Sequence, residues 1–274
     1  MSPTGDIRLS PIGDKDVADN KRILPMRNAS ATSTSIALGL ATIGFAVAFN
    51  IPFSVLGSIF DYPAVLRRPA GEVLSLFHAG GATLVLTWHA FALAALALVP
   101  LSIGLSLLGN RLSRFPALAI GAAIAGSLAG LSQAIGLWRW VFVIPGLARD
   151  YVDPTATEAV RRAAEQTFTV LNLYGGVAIG EHIGQLLTAL FVLLLSLVQW
   201  QEYRRVTASI GLVAAGAITL GTMEGLMIAL GQSGDMFGLV TIAGFLGLTL
   251  WLIATGITLL RPAASTTTSD MILA

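Results

Sequence analysis

The chain has 274 residues, of which 55% are hydrophobic and 11% charged, with a net charge of +1 and no cysteine. An average soluble domain carries ~25% charged residues, so this chain has too little polar surface to face water and is expected in a membrane. The lack of cysteine excludes disulfides, thiolate metal sites and cysteine nucleophiles. The near-neutral charge offers no basic patch for nucleic acid.

Residues 1–33 are polar, with basic and acidic side chains interspersed. No apolar core follows a short basic region, as it would in a signal peptide. The expectation is a disordered cytoplasmic tail.

Six apolar runs follow. Each is long enough to cross the ~30 Å hydrocarbon layer at ~1.5 Å per residue. The first, at about 34–57, contains Asn50 and Pro52. A Pro- and Gly-marked connection, DYPAVLRRPAGEV (61–73), leads to the second at about 82–108. That run holds Trp88, His89, Phe91 and Pro100, and His78 precedes it beside the paired Gly80 and Gly81. The turn GNRLSRFP (109–116) opens the third run, about 117–143, which ends in LWRWVFV.

The longest connection, 145–170, contains DPTATEAVRRAAEQTF. Asp153 before Pro154, or Thr155 three residues before Glu158, is a plausible helix cap. Val160, Ala164, Phe168 and Leu171 recur at helical spacing. The pattern predicts a short extramembrane amphipathic helix at about 155–170. It either lies on the surface or extends the fourth span outward.

The fourth run, about 173–200, reads LYGGVAIGEHIGQLLTALFVLLLSLVQW. The turn QEYRR leads to the fifth, about 207–230, and GQSGD to the sixth, about 237–260. Barrel strands would be about ten residues long and alternate in polarity, so the fold class is all-α. The expected organisation is a polytopic bundle of six transmembrane helices at 34–261, between tails at 1–33 and 262–274. Ten Lys and Arg fall on the side of the termini and six on the other. By the positive-inside rule both termini of the multi-pass chain are expected to be cytoplasmic.

With that topology the ionisable residues of the spans share the outer half. Glu181 and His182 lie roughly 12–15 Å below the start of the fourth span. His89, Glu224 and Asn50 also lie in the outer half of their spans, and Arg139 lies near the outer end of the third. Such groups are costly in hydrocarbon and normally face the bundle interior, and a Glu there neutralises or pairs. Arg139 is the expected partner of Glu181 or Glu224. Turned inward, it would hold an anion; otherwise it snorkels to headgroups or stacks on an indole. Trp138, Trp140, Phe142 and Tyr151 fit an interfacial aromatic belt.

Gln185 neighbours both Glu181 and His182 on the helix surface. Gly176, Gly180 and Gly184 form a small-residue ridge that brings another helix, or a flat ligand, close to the pair. The candidate ligand or proton site is therefore His89, Arg139, Glu181, His182, Gln185 and Glu224. The alternative is a helix interface with one satisfied polar network.

His89 and His182 are also candidate ligands to a metal or to haem b, since a neutral imidazole binds haem iron. With three histidines the chain has enough for one bis-histidine haem but not two. Two histidines and one carboxylate also make a metal site in principle, but there is no HExxH and no GxSxG. No sequence symmetry of three plus three spans supports an inverted-repeat transporter.

The segment RWVFVIPGLARDYVDP, the alanine-rich helix after it and LYGGVAIGEHIGQLLTAL together resemble a known family. It comprises bacterial six-span membrane proteins grouped as domain of unknown function 4386. The resemblance covers about residues 35–260. Its marks fall at Arg139, Trp140, Pro145, Arg149, Tyr151, Asp153, Pro154, Gly180, Glu181, His182 and Gly184. It implies a recurring core and brings no activity. Three functions stay open. One is a polar site that binds or passes a small ligand, ion or proton. The others are a haem- or metal-binding electron-transfer subunit and a structural subunit with a membrane protein partner.

Overall fold

Inside a bilayer no water can take up a backbone N–H or C=O, so each apolar run must close its own hydrogen bonds as a helix. The computed structural model describes the backbone of residues 15–261 and the side chains of residues 33–261. Six helical spans are long and apolar enough to cross a membrane: Ser33–Phe60, Ala70–Leu107, Pro116–Val152, Glu158–Gln201, Arg205–Ala229 and Asp235–Leu260. No strand occurs among the described residues. The expected tails lie outside the described residues except at 15–33, where the backbone is the start of the first helix.

That helix, α1, is Lys15–Phe60. A 3-10 turn, Ala64–Arg67, leads to α2 (Ala70–Leu96). Within α2, Gly81 adopts φ 55° and ψ −147°, a conformation open to glycine and not to a side-chain-bearing residue. The span expected from residue 82 thus begins where the helix restarts, and residues 70–80 form a separate leg before it. Helix α3 (Leu98–Leu107) follows after a break at Ala97. Pro100 explains that break, because its ring opposes the carbonyl four residues back.

A single turn, α4 (Arg111–Arg114), precedes α5 (Pro116–Phe142). Pro145 likewise accounts for the break at Val143 before α6 (Ile144–Val152). Helix α7 (Glu158–Leu171) is capped by Thr157, whose hydroxyl accepts from the Val160 N–H at 3.4 Å. The cap is thus Thr157 and not Asp153 or Thr155. Asp153 instead accepts from the N–H and hydroxyl of Thr155. Helix α7 runs on without interruption through a π-helical segment, Asn172–Ile183, into α8 (Gly184–Gln201). At ~1.5 Å per residue these 44 residues extend ~66 Å, twice the hydrocarbon thickness. The amphipathic helix therefore extends the fourth span beyond the bilayer. Helices α9 (Arg205–Gly221), α10 (Met223–Ala229) and α11 (Asp235–Leu260) complete the chain.

Each span packs on its neighbours in sequence, and the sixth closes on the first. The result is a six-helix ring. Its half nearer the chain termini is filled by Leu101, Leu105, Phe191, Leu195, Ile218 and Trp251. At its opposite end the 3-10 turn, the first leg of α2, α6 and α7 fold together as a cap. The cap encloses Phe60, Val65, Leu66, Phe77, Trp88, Trp140 and Phe168. Trp88 and Trp140 stack there with centroids 4.9 Å apart and planes 8° apart. Trp140 is thus fully buried and not part of an interfacial belt, whereas Phe142 is exposed. The cap helices cover the surface that the belt would have faced.

Candidate functional site

Between the filled half of the ring and the cap lies a cavity of about 560 Å³, within the range of small-molecule pockets (~300–1,000 Å³). Every span except the fifth's main helix contributes to its wall. Phe45, Phe49, Asn50 and Phe53 come from α1, and Tyr62, Ala64, Leu66 and Arg67 from the connection after it. Trp88 and Phe91 come from α2, and Gln133, Gly136 and Arg139 from α5. The fourth span supplies Gly176, Gly180, Glu181, Gln185, Thr188 and Phe191; α10 supplies Glu224. Phe245 and Thr249 of α11 complete it, with Asp235 at that helix's start. The wall is mostly apolar and rich in aromatic rings, with charge gathered near the cap.

Glu181 and Glu224 share one cation, Arg67. Its Nη2 donates to Glu181 Oε2 and to Glu224 Oε1, each at 2.8 Å. Its Nε also donates to Glu224 Oε1 at 3.1 Å. Burial opposes the charge of Arg67, but Glu181 and then Glu224 outweigh it and hold the guanidinium above its ordinary range. The partner of the two glutamates is therefore Arg67, not Arg139. Its sequence signal was the RRP of the 61–73 connection, an arginine pair on the side that carries less positive charge.

Arg139 is 8% exposed. It donates from Nη1 to the Gly136 carbonyl and from Nη2 to Asn172 Oδ1 at 3.1 Å. The Asn172 amide donates onward to the Leu66 carbonyl at 3.3 Å, tying α5 and the fourth span to the cap. The guanidinium also lies over the Trp140 ring, 5.2 Å from its centroid. Stacking on an indole is thus what the side chain does, and it does not snorkel to the surface.

The glycine ridge is taken by α5. A Cβ at Gly176 would meet the Arg139 guanidinium, one at Gly180 the Gly136 backbone, and one at Gly184 the Gln133 side chain. These glycines pack against α5, and Gly176 and Gly180 also border the cavity. Beside them Gln133 donates to the Thr188 hydroxyl at 2.7 Å, a buried bond between the third and fourth spans.

His182 stands apart from this wall. Its Nδ1 lies 3.1 Å from the Thr222 carbonyl, at the break between α9 and α10. To donate to a carbonyl, Nδ1 must carry the proton. A crevice of about 10 Å³ joins His182 to Glu181, Gln185 and Glu224, room for one water at most. His89 is not among the cavity's wall residues, and its Nδ1 is buried without a hydrogen-bond partner. Of the six residues expected to share a site, Arg139, Glu181, Gln185 and Glu224 therefore line one cavity. His182 lines only the adjoining crevice, and His89 lines neither. Among the described residues no group of three or more His, Asp or Glu is placed to hold a metal ion. Arg67, Tyr62, Gln133 and Asp235 of the wall, and Asn172 behind Arg139, are among the polar residues that spacing alone did not bring to the site.

No curated protein and no solved structure matches the chain. Residues 37–256 match the family described as a domain of unknown function (DUF4386). The matched stretch includes the second to fifth spans whole, most of the first and sixth, and every residue of the cavity wall. The chain is a member of the DUF4386 family of membrane proteins.

Proposed function

We propose that the protein binds a small, largely apolar molecule in the cavity enclosed by its six helices. One observation carries this reading: the space is large, aromatic-lined and bordered by a few convergent polar groups, the usual make-up of a ligand site. A purely structural polar network would be sealed by packing. Here Arg67, Glu181, Glu224 and Gln185 all border open volume. The distribution of Lys and Arg supports cytoplasmic termini in a bacterial inner membrane, which puts the cap and the cavity on the outer side.

The test is native mass spectrometry of the full chain in detergent, with dodecanol as probe. The wild type is compared with Gln185→Trp, which projects an indole into the cavity. Wild-type protein should retain dodecanol and the variant should lose it. Equal retention by both would put the probe on the lipid-facing surface and refute the reading.

A further inference from the structure

The charged groups of the cavity wall are unequally satisfied. Glu181 and Glu224 both accept from Arg67. Asp235 forms no ion pair among the described residues, but it is exposed and accepts from the Ser233 hydroxyl at 2.8 Å. Arg139 differs from all of these. It is more than nine-tenths buried, and no described carboxylate lies within ion-pair distance of it. Its five N–H donors make two bonds, both to neutral acceptors, and its Nε has no partner. A buried cation is costly unless paired, and this one borders empty volume.

A second donor faces the same space. Tyr62 lines the cavity, its ring packed edge-on against Trp88 at 5.2 Å and Phe53 at 5.4 Å. Burial first, and then the charge of Glu181, push its phenol above the ordinary range, so it keeps its proton and can donate. The groups that oppose an anion here are Glu181 and Glu224, with the exposed Asp235 at the wall's edge; Arg67 bridges the two glutamates and offsets one of their two charges.

We infer that the occupant is an anionic amphiphile: an apolar chain among the aromatic rings, ended by a carboxylate or phosphate held by Arg139 and Tyr62. This rests on the cavity being a ligand site. A planar guanidinium suits either head, because its parallel N–H groups match two oxygens at once.

The experiment compares dodecanoate, dodecyl phosphate, dodecanol and dodecylamine on the full chain by native mass spectrometry. It is run at mildly alkaline pH, where the carboxylate is ionised. One or both anions should bind about tenfold more tightly than dodecanol, and which of them leads tells carboxylate from phosphate. Arg139→Gln should bring the anions down to the level of dodecanol measured on the same variant. Tyr62→Phe, which removes one hydroxyl, should weaken only the anions and serves if Arg139→Gln fails to fold. Equal binding of anion and alcohol would overturn the head-group assignment while the cavity reading stands. Tightest binding of dodecylamine would overturn it in favour of Glu181 and Glu224. Probes that all bind equally to Gln185→Trp would refute the cavity reading itself.

Discussion

Arg67 grips Glu224 with two nitrogens, Nε at 3.1 Å and Nη2 at 2.8 Å, and Nη2 also reaches Glu181 at 2.8 Å. One residue of the connection after α1 thereby ties the fourth span to the fifth across the cavity's edge. Removing the cation leaves two partly buried carboxylates facing each other without compensation. Arg67→Met should therefore lower the melting temperature in detergent, and adding Glu224→Gln should recover part of the loss. The coupling in the double-mutant cycle should be about 1 kcal/mol, as for partly exposed pairs. Strictly additive losses would show that the three groups do not act together.

A second ion pair holds the opposite end of the bundle. Arg111, 4% exposed, donates from Nε and Nη2 to the two oxygens of Glu202, both at 2.7 Å, and from Nη1 to the Leu105 carbonyl. It joins the turn between the second and third spans to the turn between the fourth and fifth. Glu202→Gln leaves a buried guanidinium without its counter-charge and should cost about 2–4 kcal/mol. Arg111→Lys should not restore it, since an ammonium cannot make the parallel pair of bonds. The midpoint of unfolding in sodium dodecyl sulfate measures both. A shift in neither variant would mean the pair contributes nothing.

The bundle was legible in the sequence because long apolar runs, each with at most one charged residue, separated by Arg-, Pro- and Gly-marked turns leave little else to build in a membrane. That Glu181 and Glu224 fall at the same level of the bundle was legible too, since rise per residue sets it. Their partner was not: Arg67 stands 114 and 157 residues away in sequence and belongs to a connection, not to a span. Trp140 was misplaced for a related reason. Its position near a helix end suits a headgroup belt, and only the folding back of α6 and α7 puts it in the core. The glycine ridge announced close packing but not which helix would fill it.

That helix is α5, and the crossing can be tested with single methyl groups. An added Cβ on Gly136 would lie 2.7 Å from the Gly180 Cα, backbone against backbone, with no flexible side chain to yield. From Gly180 the distance to the Gly136 Cα is 3.2 Å. Gly136→Ala should destabilise by about 1–3 kcal/mol, and Gly180→Ala by less. The control is Gly216→Ala, a helical position in α9 with nothing within 4 Å. There the gain in helix propensity should leave the protein as stable or slightly more so. A similar response at all three positions would show that the α5 crossing is looser than described.

The glutamate–histidine pair at the centre of the fourth span divides into two roles. Glu181 accepts from Arg67 at the cavity wall, whereas His182, the next residue, turns to the Thr222 carbonyl at 3.1 Å. The wider turn of the π-helical segment sets these faces. His182 thus joins the fourth span to the break in the fifth. His182→Ala should cost about 1 kcal/mol of stability, the usual worth of one hydrogen bond, while dodecanol retention stays as in the wild type. The opposite pattern, unchanged melting with lost retention, would return His182 to the ligand site. The two roles differ in which readout changes, so one purified variant measured for melting temperature and probe binding decides between them.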